Sequence, residues 1–107
     1  MKKLYHIILD NNVDSSYIHR MTNELGNTYK LYQNNFFLYS EMGSAHDLYD
    51  RLITDEYSQT GIVICEIPLE GFSYWGYSDK GLWTWLSLIV SDFKNRGSSL
   101  KEFGENI

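Results

Sequence analysis

The amino-acid sequence predicts an α+β fold, and three observations carry that expectation. Short β-rich apolar runs stand at Leu4 to Leu9, Phe36 to Tyr39 and Gly61 to Ile67. Apolar residues at helical spacing lie between them, at Tyr17, Ile18, Met21 and Leu25, and again at Ala45, Leu48, Tyr49 and Leu52. Clusters of Asn, Asp, Ser and Gly separate these segments, as connections do.

Leu4-Tyr5-His6-Ile7-Ile8-Leu9 ends abruptly in Asp10-Asn11-Asn12, so it reads as a strand entering a polar turn. Nearly every position is apolar, which suits a central strand. Ser15 or Ser16, with Asp14 close by, can cap a first helix of about three turns that Gly26 stops. Tyr29, Leu31 and Tyr32 form a second strand; Gln33-Asn34-Asn35 is a turn signal, and Phe36-Phe37-Leu38-Tyr39 resumes as β, giving a hairpin or one bent strand.

Ser44 caps a second helix that carries Asp47 near its positive end. After a polar loop from Thr54 to Thr60, Gly61 to Ile67 is a further apolar strand, ended by Pro68. Gly71 to Tyr77 reads as an extra edge strand or an ordered loop. Leu82, Trp83, Trp85, Leu86, Ile89, Val90 and Phe93 then set out a third, aromatic helix from about Lys80 to Arg96. Gly97-Ser98-Ser99 is expected to break it, leaving a polar tail over 97–107. Residues 1–96 read as a single domain, with Leu9, Ile18, Leu38, Leu48, Ile64 and Leu86 buried together.

The order strand, helix, strand, strand, helix, strand is the ferredoxin-like βαββαβ arrangement, in which two helices cover one face of an antiparallel four-stranded sheet. The other face then needs cover or a partner.

Composition narrows the function classes. A net charge of −5 argues against a broad phosphate-binding face, so nucleic acid is not favoured by charge, although a local basic site stays open. The single cysteine excludes an internal disulfide, and Cys65 reads as a small buried hydrophobe with little reactivity among Val63, Ile64 and Ile67. With no leader pattern and no apolar run approaching 18 residues, no membrane association is expected and a cytoplasmic location is the default.

The apolar first strand ending in Asp10, the turn before Phe36-Phe37-Leu38, the helix from Ser44 to Leu52 and the late strand Ile62 to Ile67 carry a resemblance. The chain resembles the small ferredoxin-like proteins related to the CRISPR adaptation endonuclease subunit and to VapD-type toxins, over roughly residues 1–90. The resemblance implies a homodimer in a prokaryotic or phage defence setting. It also implies metal-dependent phosphodiester cleavage in which Asp10 of each protomer is the catalytic and metal-binding residue, with Mg²⁺ or Mn²⁺ as cofactor. A hard divalent cation needs carboxylate oxygens and lowers the pKa of its bound water. This chain departs from the family pattern in following Asp10 with Asn11 and Asn12, and in having no arginine cluster nearby. From the residues alone, Asp-Asn-Asn reads first as turn chemistry, with Asp10 a turn or helix-entry residue ahead of a metal ligand.

Other constellations are weaker. His6, His19 and His46 show no i, i+4 pairing with one another, so local spacing supports no zinc site. His6 is expected to face a neighbouring strand or a polar cluster. His46, Asp47 and Asp50 could act in proton transfer, yet solvated helix faces look the same. No phosphate-binding glycine loop is present.

Aromatic residues are concentrated at Phe72, Tyr74, Trp75, Tyr77, Trp83 and Trp85, a set suited to covering the open sheet face or anchoring a dimer or protein partner. The leading expectation is a homodimeric binding or regulatory module. The alternatives are the Asp10 endoribonuclease or endodeoxyribonuclease, and an acidic inhibitor or immunity-type protein presenting Asp47, Asp50, Asp55 and Glu56 to a basic partner.

Overall fold

A computed structural model of the chain describes the backbone of residues 1–32, 34–54, 60–76 and 78–105, and the side chains of those residues as far as Arg96. It is α+β, with a four-stranded antiparallel sheet and three helices. The elements run β1 (Lys3–Leu9), α1 (Ser15–Leu25), β2 (Gly26–Tyr32), β3 (Asn35–Ser40), α2 (Ala45–Leu52), β4 (Ile62–Ile67) and α3 (Lys80–Glu105). Contacts divide the chain into two compact units, Met1–Pro68 and Leu69–Ile107, so the unit boundary falls inside the span read from sequence as one domain.

In the first unit the strand order is β2-β3-β1-β4, with every neighbouring pair antiparallel. β1 is central, opposing Leu38 of β3 and Glu66 of β4 through Tyr5. Side chains alternate along each strand. Tyr5, Ile7 and Leu9 of β1 and Phe36 and Leu38 of β3 therefore share one face, where Ile18 of α1 and Leu48 and Leu52 of α2 join them in a buried cluster. Truncating one of these, as in Leu48→Ala, costs about 2–5 kcal/mol through lost burial and the cavity left behind.

Local chemistry sets the helix ends. Asp14, rather than Ser15 or Ser16, caps α1, its carboxylate accepting from the Ser16 N–H at 2.9 Å. Ser44 caps α2 by accepting from the Asp47 N–H at 3.1 Å. At the end of α1 the Ser40 hydroxyl donates to the Leu25 carbonyl at 2.7 Å, satisfying one of the acceptors that a helix C-terminus leaves open.

Three expectations are corrected. Cys65 is exposed, not buried. β4 is an edge strand in which Ile62, Ile64 and Glu66 take the positions opposite the core-facing residues of β1, so the alternating Val63 and Cys65 face the other way. Of the residues expected to be buried together, Leu9, Ile18, Leu38 and Leu48 form the cluster and Ile64 packs against it half-buried, whereas Leu86 belongs to the second unit.

The third correction concerns α3, whose backbone stays helical through Gly97, Ser98 and Ser99 to Glu105. Glycine costs a helix only about 1 kcal/mol relative to alanine, which lowers helix propensity without forbidding continuation. In the described part of α3, Leu82, Leu86 and Ile89 are buried and form one stripe at spacings of four and three. Asp79 caps the helix by accepting from the Leu82 N–H at 2.8 Å.

Candidate functional site

Asp10 stands at the end of β1, where the strand is tied to both neighbours. The Leu9 N–H donates to the Asn34 carbonyl and the Asp10 N–H to the Gly61 carbonyl, each at 2.8 Å. The chain then turns at once, the Val13 N–H donating to the Asp10 carbonyl at 3.0 Å, while the Asp10 side chain accepts from the Asn12 N–H at 3.4 Å. This is the Asx turn that an Asp-Asn-Asn sequence favours. The buried Asn34 side chain donates to both the Asp10 carbonyl and Asn11 Oδ1 at 3.3 Å, bracing the turn from the hairpin side.

Gly61 fits closely against Asp10. A Cβ at Gly61 would come within 2.9 Å of the Asp10 Cβ, so this corner requires glycine unless Asp10 moves. The Asp10 carboxylate remains exposed. Among the described residues of one chain, no three His, Cys, Asp or Glu side chains converge to hold a metal ion.

The acidic residues of α2 are locally engaged. Asp47 lies in the first turn, where the helix dipole favours a carboxylate, and Asp50 faces His46 at 3.6 Å on the exposed side. Both partners of that pair are largely exposed, at 82% and 61% of their side-chain surface, so it is a solvated i, i+4 contact. Asp55 and Glu56 lie outside the described residues.

The aromatic residues of the second unit make the most developed surface feature. Tyr74, Trp75, Gly76 and Trp83 line a groove of about 500 Å³. Tyr74 and Trp83 stack with centroids 6.0 Å apart and planes 12° from parallel, and Phe72 leans on Tyr74 at 5.3 Å. The Tyr74 hydroxyl lies 3.5 Å from the Ser87 hydroxyl, one helical turn beyond Trp83. Trp75 is 99% exposed, an uncommon state for the largest apolar side chain.

Tyr77 lies outside the described residues, and Trp85 does not line this groove. Residues two apart on a helix point about 200° from one another, which separates Trp85 from Trp83. Sequence reasoning did not single out Gly76 or Ser87. The i, i+4 relation of Trp83 to Ser87 could have pointed to the latter.

Family models, curated proteins and solved structures were all compared with the chain, and none matches it. Among the described residues no helix is long and apolar enough to cross a membrane.

Proposed function

We propose that this chain is a homodimeric binding module, built on a ferredoxin-like βαββαβ core with an aromatic C-terminal helix, whose contact surface is the Tyr74, Trp75 and Trp83 groove. The observation that carries the reading is the full exposure of Trp75 at the rim of a groove walled by stacked aromatic rings. Tryptophan and tyrosine dominate the energetics of protein interfaces because they bury much area at little cost in side-chain freedom.

A second copy of the chain is the occupant favoured by shape. A two-fold interface must be self-complementary, since one patch meets itself. Here a single patch supplies both an exposed ring, Trp75, and the groove that it lines with Tyr74, Gly76 and Trp83. Charge adds a constraint: at a net −5, two copies repel at long range, so an uncharged aromatic patch is where they can approach.

The experiment is the solution mass of the full chain, by light scattering, for the wild type, Trp75→Ala and the solvent-face control Val63→Ala. The reading expects a wild-type dimer, a monomer for Trp75→Ala and a dimer for Val63→Ala. A monomeric wild type, or a Trp75→Ala variant that stays dimeric, would overturn it.

A further inference from the structure

Among the described residues, the groove of the second unit is lined by three aromatic side chains and no ionic one, with Gly76 beside Tyr74, Trp75 and Trp83. Two of the rings are held in place. Tyr74 lies 12° from parallel with Trp83, and it is braced by Phe72 at a centroid distance of 5.3 Å and by its hydroxyl, 3.5 Å from that of Ser87. The third ring, Trp75, is 99% exposed, so its indole can turn onto a guest without giving up packing. Gly76 adds no side chain to the lining: its φ of 155° is one that side chains disfavour, and a Cβ there would stand 3.9 Å from Trp83 Cη2.

Aromatic rings carry negative charge density on their faces, so several rings lining one cavity attract a cation. The kind of cation follows from the polar groups of the lining. A primary ammonium brings three N–H donors, and each needs an acceptor once it leaves water. Among the described residues no carboxylate or amide side chain lines the groove, and the one hydroxyl, that of Tyr74, already lies against Ser87. A quaternary ammonium has no N–H, so it leaves no donor unpaired and keeps its attraction to the rings. The whole chain acts in the same direction, since a net charge of −5 draws a cation in and holds an anion off. At about 500 Å³ the groove has the size of a small-molecule site.

We infer that the Tyr74, Trp75 and Trp83 groove binds a small, soluble quaternary ammonium compound, and that this ligand controls the assembly proposed above. The second half rests on the dimer reading. Trp75 cannot close over a cation in its own groove and at the same time serve as the contact with a second copy. A ligand that takes only the free groove shifts the equilibrium toward the monomer by mass action.

The test compares choline with dimethylbutanol, its neutral isostere, in which a carbon replaces the charged nitrogen. Each is titrated calorimetrically into the full chain, and the solution mass is measured on the same samples. Choline is expected to bind about tenfold more tightly than the alcohol, the scale of a desolvated cation over aromatic faces, and to lower the mass from dimer to monomer. Trp75→Leu changes an exposed position, so folding is not at stake; it keeps an apolar side chain without a ring face and is expected to remove the tenfold preference.

No binding of choline, equal affinity for the two probes, or a Trp75→Leu variant that retains the preference would overturn the site. Choline bound to a wild type that stays dimeric would overturn the control of assembly. A wild type that is monomeric without ligand would overturn the dimer reading and with it that control, while the preference for choline still decides the site. Sedimentation of the chain with phosphatidylcholine vesicles would overturn the assignment to a small soluble ligand in favour of a lipid surface.

Discussion

A methyl group on Gly26 would overlap the carbonyl oxygen of Tyr39, because β2 begins at the residue directly after α1 and is already paired with β3 there. The obstruction is backbone, with the Ser40 Cα and Cβ each 3.1 Å from the same position, so no side-chain rotation can relieve it. Gly26→Ala is therefore expected to destabilise the first unit by about 2–3 kcal/mol, at the upper end of overpacking costs. A lowered urea midpoint with an unchanged slope would show it; an unchanged midpoint would mean that β2 shifts freely against β3.

Acid should weaken the start of α1 in a defined way. Hydrogen bonds from the backbone and side chain of Ser16 hold the Asp14 carboxyl below its ordinary value of 3.8. A lowered folded-state value means that this contribution is fully present above the ordinary carboxylate range and is lost as pH falls through the folded value. Asp14→Asn keeps a capping oxygen and removes the titration. The variant is expected to match the wild type at neutral pH and to show a shallower loss of melting temperature on acidification. Parallel acid limbs would show that the cap does not titrate with folding.

The opposite sign applies to Tyr5, which is fully buried and donates to the Met42 carbonyl at 2.5 Å. Burial foremost, then the charges of Glu66 and Asp47, push its phenol above 10.0. Its contribution is complete below that value and is lost as pH rises through the folded-state value. Tyr5→Phe should lower stability by about 1–2 kcal/mol at neutral pH, since the Met42 carbonyl loses its donor. The same variant should flatten the alkaline limb of a melting-temperature profile, and an equally steep limb would assign it to another group.

Much of this arrangement is legible in the residues, and the misreadings have physical causes. β1 and β4 look alike as apolar runs, yet β1 has neighbours on both sides and β4 on one. An apolar run reports burial without saying which face or edge is covered, so the run around Cys65 does not reveal that its side chain is exposed. The turn at Asp10 was readable because Asp-Asn-Asn makes its own hydrogen bonds locally. The aromatic groove was readable as composition but not as geometry: helical rotation takes Trp85 away from the wall that Trp83 forms. His6 met its expected polar neighbour, Asn35, only because the pairing of β1 with β3 brings them together across 29 residues of chain.

Asp10 allows a direct contest between the turn and the metal reading. As a turn residue it needs an oxygen to accept from the Asn12 N–H, and Asn supplies that as well as Asp does. Asp10→Asn should then match the wild type in stability, whereas Asp10→Ala should lose up to about 1 kcal/mol, the range of one exposed hydrogen bond. As a metal ligand it needs charge, and a bound cation stabilises the folded state by mass action. On the turn reading, Mg²⁺ or Mn²⁺ leaves the melting temperature of all three proteins unchanged. A rise with Mn²⁺ in the wild type that Asp10→Asn abolishes would instead assign the carboxylate to a metal and restore the nuclease alternative.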